Sequence, residues 1–215
     1  MEALYVFALT GHTISPFVVA EHRVEFADLS GLHAAVERRS ELPAMSESSL
    51  RTQHDIVTRL SESIDAVVPA RFGALVDERE LREILAARRQ VIQDALTLVR
   101  GRVQMTVRFR EAPESIRRST TPASAAMSGT AYLEARRSAT RTMPALAADV
   151  ARAVADLAIA ARAEAGTEAS APALYHLIGR DCVPRYTGAL SVLKSPELRV
   201  SGPWPPFAFA PDLWP

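Results

Sequence analysis

The last fifteen residues, SGPWPPFAFAPDLWP (201–215), restrict the possible folds more than any other segment of this sequence. They contain five of the fourteen prolines and both tryptophans. Because proline fixes φ near −65° and lacks a backbone N–H, such a segment cannot lie inside a helix or a central strand. We therefore predict an extended tail, partly of polyproline-II conformation, with large apolar side chains along it.

Two roles remain open for this tail. It can close over the protein's own core, as a lid, or it can present an adhesive strip to a partner, since proline-rich segments dock into aromatic grooves. The tail follows directly on a predicted last strand, 198–202. We therefore expect Trp204 and Phe207 to pack onto the C-terminal domain.

Composition excludes several classes of protein. The formal net charge is zero, so no strong field draws the chain to nucleic acid or to an anionic membrane. The single cysteine, Cys182, excludes an internal disulfide, argues against a cysteine-based zinc site, and is expected to be a small buried hydrophobe. The apolar run near the N-terminus is too short to span a bilayer. We expect a protein of the reducing cytoplasm with no membrane segment.

The first half of the chain alternates between strand and helix patterns. Residues 3–9, ALYVFAL, form a continuous apolar run that predicts a strand covered on both faces. Residues 32–40 are compatible with a strand or a short helix. A helical period begins near Ser46 and is interrupted at VPARFG, 68–73, because a proline disfavours helix at its predecessor.

A second helix is predicted from about Asp77, with Gly101 beyond its end as a C-cap. The strand RVQMTVRFR, 102–110, follows at once, and its strict alternation predicts one buried apolar face and one polar face. The polar face carries Arg108 and Arg110.

The second half begins where this periodicity is lost. Residues 112–128 are rich in serine, threonine and proline, which indicates a linker between a domain 1–111 and a domain 129–215. An alanine-rich helical region is predicted from 129 to 165, kinked or split at Pro144. Strands at 173–179 and 198–202, with a short helix between them, complete an α+β pattern.

Sequence motifs of catalysis are lacking. The histidines follow no metal-ligand spacing, and neither GxGxxG nor GxxxxGK[ST] occurs. We therefore expect no catalytic residue, metal or cofactor. The RFG sequence, Arg71, Phe72 and Gly73, is interpreted as a tight backbone approach, with an anion or partner contact as the alternative. The five histidines are His12, His22, His33, His54 and His176.

Four segments in order resemble the GvpF/GvpL family of gas vesicle proteins over nearly the whole chain. They are LYVFAL, VPARFG, GRVQMTVRFR and LRVSGPWPPFAF. The most specific is the run Gly202, Pro203, Trp204, Pro205, Pro206 and Phe207, because this order of prolines and aromatics is improbable by chance. The extension to Asp212 and Trp214 departs from the usual ending.

The resemblance implies an α+β protein of two domains, an N-terminal ferredoxin-like α/β sandwich and a C-terminal α+β domain with long alanine-rich helices and the proline-rich tail. It also implies a non-enzymatic protein of the cytoplasm, associated with gas vesicles, the hollow shells that give microbes buoyancy. The implied partners are the small shell-forming subunit and other accessory gas vesicle proteins. The alternative is a small-molecule-binding or enzymatic ferredoxin-like domain that uses the sheet face around Arg108 and Arg110.

Overall fold

The computed structural model describes residues 3–29, 31–110, 145–166 and 170–214. The chain divides into two compact units. The first unit combines Met1–Gln104 with Pro203–Pro215, and the second unit is Met105–Gly202. The tail is thus part of the first unit. The expectation that it packs on the C-terminal domain is wrong, and the domain limits 1–111 and 129–215 stay a prediction.

An antiparallel sheet forms the centre of the first unit. Its strand order is β2-β3-β4-β1-β5, and a short strand β6 also pairs with β1. Every pairing described in this sheet is antiparallel. The strands are β1 (Ala3–Thr10), β2 (Phe17–Val19), β3 (His22–Leu29), β4 (Leu32–Arg39), β5 (Val67–Pro69) and β6 (Leu75–Val76).

The central strand β1 is buried on both faces, as its apolar run predicts. Leu4 and Val6 belong to one apolar core, whereas Tyr5 and Phe7 belong to the other. The alternation follows from the strand geometry, in which successive side chains point to opposite faces. The ambiguous segment 32–40 is a strand, β4, and pairs with β1.

Helix α1 (Glu47–Ser63) covers one of these cores with Ile56, Val57 and Leu60. Its first turn is capped by Ser46, whose side chain accepts a hydrogen bond from the backbone N–H of Ser49. The predicted start of the helix is thereby confirmed.

The predicted second helix is divided into α2 (Glu78–Ala87) and α3 (Arg89–Val99). Arg88, at φ −109° and ψ 16°, leaves the helical conformation between them. This break lets the apolar side chains of both helices, such as Leu81 of α2 and Ile92 of α3, contact the same core.

The second sheet has the strand order β10-β7-β9-β8. Its strands are β7 (Arg102–Phe109), β8 (Ala158–Glu164), β9 (Ala173–Gly179) and β10 (Leu198–Trp204). The described helices of the second unit are α4 (Leu146–Ala153) and α5 (Val183–Ser191), the latter preceded by a 3-10 turn, Arg180–Cys182. Mixed helix and sheet in two sheets agrees with the predicted α+β class.

The alanine-rich region departs from its prediction. Residues 146–153 are helical, but 158–164 form the strand β8, which pairs antiparallel with β9. Alanine side chains fit either conformation, so the pairing with β9 decides the outcome against a helix-favouring composition. The predicted linker 112–128 and the predicted helix up to Pro144 lie outside the described residues.

The polar face of β7 is more buried than its alternation suggests. Val103, Met105, Val107 and Phe109 are buried as predicted, but Gln104 and Thr106 are buried as well. The Gln104 side-chain oxygen accepts a hydrogen bond from the backbone N–H of Ala208 at 2.7 Å. A buried polar side chain needs such a partner, and here the tail supplies it.

Candidate functional site

The tail turns back on itself after β10. Pro205 and Pro206 are buried, and one 3-10 turn, Phe207–Phe209, follows them. The backbone N–H of Phe209 donates to the carbonyl oxygen of Pro206 at 3.0 Å. Within this turn the side chain of Phe207 is partly exposed, whereas that of Phe209 is buried.

Two aromatic side chains of the tail are buried. Phe209 is 3% exposed and Trp214 is 6% exposed. Trp214 lies in the same apolar core as Leu4, with Ala210 and Leu213 packed against it. This part of the tail is a lid over the first unit's core.

Two other aromatic side chains of the tail face outward. Trp204 and Phe207 are each 37% exposed. Both contact His54 of α1: its ring lies edge-on to Trp204 at a centroid distance of 5.3 Å and stacks on Phe207 at 6.0 Å. We call His54, Trp204 and Phe207 the aromatic surface.

A cleft of about 310 Å³, the tail cleft, adjoins this surface at Phe207. Arg71 and Asp212 line the tail cleft with partly exposed side chains, and the nearest nitrogen of Arg71 lies 4.0 Å from the nearest carboxylate oxygen of Asp212. Most of the other lining side chains are apolar or prolines, which suits an apolar occupant. The lining residues are Pro69, Ala70, Arg71, Phe207, Ala210, Pro211, Asp212 and Trp214.

The backbone around the RFG sequence is held by hydrogen bonds to buried side chains of the first unit. Gly73 has φ +91°, a conformation that side-chain-bearing residues rarely adopt. Its N–H donates to the Tyr5 hydroxyl at 3.2 Å, and that hydroxyl donates to Gln53 Oε1 at 2.5 Å. Gln53 Nε2 in turn donates to the carbonyl oxygen of Ala70 at 3.1 Å. This chain of hydrogen bonds fixes the backbone that carries Arg71.

Phe72 points away from the tail cleft. Its ring lies edge-on to Tyr5 at 6.3 Å, beside a second cleft of about 270 Å³. Arg39 lies over the Tyr5 ring, 5.0 Å from its centroid, and its Nε donates to Glu37 at 2.6 Å. Because Glu37 compensates this cation, the second cleft offers no unbalanced positive charge to an anion.

The structure therefore brings Arg71 and Phe207 together in one cleft but separates Phe72 from the tail. Pro203 and Trp204 are exposed, and Pro205 and Pro206 are buried. Gly202, with φ +120°, is the last residue of the second unit, so the run Gly202–Phe207 crosses from one unit to the other. His54 was not a candidate from sequence, since one histidine on a helix carries no signal of what lies opposite.

Among the described residues, no group of three or more His, Cys, Asp or Glu side chains could hold a metal ion. Cys182 is half-buried rather than fully buried as expected, because it lies in the 3-10 turn before α5. Arg108 and Arg110 are exposed, while Gln104 and Thr106 next to them are buried. The alternative of a small-molecule site around Arg108 and Arg110 stays a hypothesis.

Comparisons with known proteins agree with this fold. The structure resembles the crystal structure of the gas vesicle protein GvpF from Anabaena sp. PCC7120, with a TM-score of 0.76, 12% identity, and coverage of 98% of this chain and 97% of that chain. It also resembles GvpF from Microcystis aeruginosa, with a TM-score of 0.71, 12% identity, and coverage of 97% and 99%. A search of curated protein sequences finds no significant match.

The model of one protein family, gas vesicle synthesis protein GvpL/GvpF, matches residues 3–211. The chain belongs to the GvpL/GvpF family. This confirms the resemblance carried by LYVFAL, VPARFG, GRVQMTVRFR and the tail. Among the described helices of this GvpL/GvpF protein, none is long and apolar enough to span a membrane.

Proposed function

We propose that this GvpL/GvpF protein is a non-enzymatic accessory protein of gas vesicles that binds the small shell-forming subunit. In this role it supports nucleation and assembly of the shell in the cytoplasm, alongside other accessory proteins, and can stay in the vesicle as a minor component. The aromatic surface and the tail cleft form the contact with the shell subunit. The exposure of Trp204 and Phe207 is the observation that carries this proposal.

The chemistry of the partner explains why such a surface is needed. A shell that keeps liquid water out requires a strongly apolar inner face, so its free subunit exposes apolar surface and tends to aggregate. An accessory protein that covers this surface needs apolar side chains in fixed positions, not catalytic groups.

The aromatic surface has the properties of a binding hot spot. Large aromatic side chains contribute most of the affinity in many interfaces, and they do so best when they lose little freedom on binding. Trp204 and Phe207 are held by ring contacts with His54, by two buried prolines between them, and by the anchored residues Phe209 and Trp214. Arg71 and Asp212 add polar groups that can set the register of a partner.

Co-purification with the tagged shell subunit tests this proposal. We compare the parent chain with the variant Trp204→Ala/Phe207→Ala and with Met45→Ala, which removes an exposed apolar side chain elsewhere on the first unit. The double variant should no longer co-purify with the shell subunit, while its melting temperature stays within a few degrees of that of the parent. The Met45→Ala variant should still co-purify with the shell subunit. Equal retention by all three chains contradicts the role of the aromatic surface. Lack of contact by the parent contradicts the function itself.

The ferredoxin-like description of the N-terminal domain also stays a proposal. Helices packed on a sheet support an α/β sandwich there. A ferredoxin-like domain contains split β-α-β units, in which a helix connects two parallel strands that lie on either side of a third strand. The segment β4-α1-β5 has this arrangement, because β4 and β5 both pair antiparallel with β1. Alignment of the first unit alone with ferredoxin-like domains would test the description, and failure to match their strand order would reject it.

A further inference from the structure

Strand β8 lies at one end of the strand order of the second sheet, paired on one side with β9. From Ala161 to Glu164 its residues are exposed, and the side chain of Ile159 is half exposed. An end strand presents backbone N–H and C=O groups that can pair with another strand, and most proteins protect such an edge with charges, prolines or bulges.

The protection of β8 is slight where the strand is most exposed. Its irregular pairing with β9 is confined to Ala158 and Ala160, at the beginning of the strand. The remainder, Ala161 to Glu164, has no proline, and its alanine side chains are too short to hold another strand away. Only two charged residues, Arg162 and Glu164, lie along it.

These two charges are arranged so that the strand complements itself. Arg162 and Glu164 are two residues apart and therefore lie on the same face of the sheet. If two copies of β8 pair antiparallel with Ala163 opposite Ala163, then Arg162 of each copy lies directly opposite Glu164 of the other. A register moved by two residues places like charges opposite each other, either Arg162 opposite Arg162 or Glu164 opposite Glu164, which makes the centred register the favoured one.

We propose that β8 pairs with β8 of a second copy in this register, about a two-fold axis at Ala163, and so joins two four-stranded sheets into one continuous sheet. Such a contact is isologous, because the same patch is used by both copies. The partner at this edge is a second copy of the chain, because pairing β8 with another β8 forms two Arg162–Glu164 pairs of opposite charge across the axis.

The proposed pairing is compatible with the contacts within one chain. The Tyr175 hydroxyl donates to Oε2 of Glu164. A carboxylate has two oxygens and accepts several hydrogen bonds, so Glu164 can also accept from an arginine across the axis. A contact made by one short strand buries little surface, so the dimer should be weak and dependent on concentration.

Analytical ultracentrifugation of the purified chain over a range of concentrations tests the dimer and its register. The parent should associate reversibly. The single variants Arg162→Glu and Glu164→Arg place like charges opposite each other twice, and each should raise the dissociation constant on the order of tenfold or more. The double variant Arg162→Glu/Glu164→Arg restores opposite charges only in the proposed register, so it should dimerise like the parent. A parent that is monomeric throughout, or a double variant no better than the single ones, overturns the proposal.

Crosslinking gives an independent readout. In a Cys182→Ala background, Ala163→Cys places two cysteines opposite each other, with Cα atoms about 4.5–5.5 Å apart, within the range that a disulfide bridges. Mild oxidation should then yield a covalent dimer. The control Val192→Cys, at an exposed position on the same unit, should stay monomeric. Equal crosslinking of both variants contradicts pairing with a second copy, as does crosslinking of the Ala163→Cys variant to a different protein and not to itself. Neither experiment depends on binding of the shell subunit.

Discussion

The hydroxyl of Tyr5 accepts a hydrogen bond from the backbone N–H of Gly73 at 3.2 Å and donates one to Oε1 of Gln53. Tyr5 is buried in the central strand, and Gly73 closes the RFG sequence. Burial raises the pKa of the Tyr5 phenol above its ordinary value of 10.0, so the proton stays available as a donor. One side chain of the core thus holds the loop that forms a wall of the tail cleft.

Replacing Tyr5 by Phe tests this link. The change leaves the Gly73 N–H and Gln53 Oε1 without this partner in a buried environment, and we expect a loss of about 1–3 kcal/mol in the free energy of unfolding. Urea denaturation measures it. The matched control is Tyr175→Phe, which removes a hydroxyl bonded to Glu164 near the surface and should change stability by about 0.5 kcal/mol or less. Similar losses in both variants would contradict the role assigned to Tyr5.

Two glycine substitutions should act in opposite directions. Gly73→Ala forces an alanine to φ +91°, and because the nearest atom to its Cβ would be 3.8 Å away, the expected cost of about 1–2 kcal/mol is backbone strain alone. Gly188→Ala lies in α5, with no atom within 4 Å of the added Cβ. It should stabilise the chain by about 0.5–1 kcal/mol. Thermal melts distinguish the two, and a shift of the same sign in both would be inconsistent with this interpretation.

The tryptophans of the tail should differ in their contribution to stability. Trp214→Ala removes a buried side chain from the first unit's core and is expected to cost about 3–5 kcal/mol. Trp204→Ala removes a partly exposed side chain, and the expected cost is about 1 kcal/mol. Chemical denaturation of the two variants measures the difference. A larger loss for Trp204 than for Trp214 would show that the lid and the exposed residues are assigned in the wrong order.

Acid should destabilise the chain through His176. Its Nδ1 lies 2.7 Å from the Tyr186 hydroxyl, both side chains are buried, and burial lowers the pKa of His176 below its ordinary value of 6.5. The unfolded chain therefore binds more protons between the two pKa values. The contribution of neutral His176 is complete above about pH 6.5 and is lost as the pH falls toward the folded-state pKa.

A pair of variants isolates this effect. His176→Leu/Tyr186→Phe removes both polar partners together, so its free energy of unfolding should fall less between about pH 7 and pH 5 than that of the parent. Tyr186→Phe alone keeps the buried histidine and should retain the pH dependence at a lower overall stability. The midpoints of urea unfolding at about pH 7 and pH 5 measure this pH dependence for each chain. A double variant with the same pH dependence as the parent would refute the assignment to His176.

The sequence predicted those parts of the fold in which local pattern and tertiary contact agree. The apolar run of β1, the cap at Ser46 and the apolar positions of β7 all lie where expected, because their periodicity is the cause of their burial. The sequence did not predict strand β8, because a run rich in alanine shows no alternation of apolar and polar side chains. Its pairing with β9 is a long-range contact that composition cannot indicate.

The candidate site shows the same limit. The run of prolines and aromatics identified the tail as important, but which of its aromatic side chains enter the core depends on the 3-10 turn at 207–209 and on what lies beneath it. The sequence predicts that Trp204 and Phe207 pack onto the C-terminal domain, whereas the buried aromatic side chains of the tail are Phe209 and Trp214. His54 joined the site only through its position on α1 opposite the tail.

The packing of Trp214 against the core that contains Leu4 has a consequence for biosynthesis. Leu4 precedes the whole second unit in the chain, and Trp214 follows it. Strand β1 is therefore synthesised well before Trp214, and part of its apolar face stays uncovered until Trp214 has been made. During that interval the uncovered face is a surface through which the nascent chain can aggregate or be bound by chaperones.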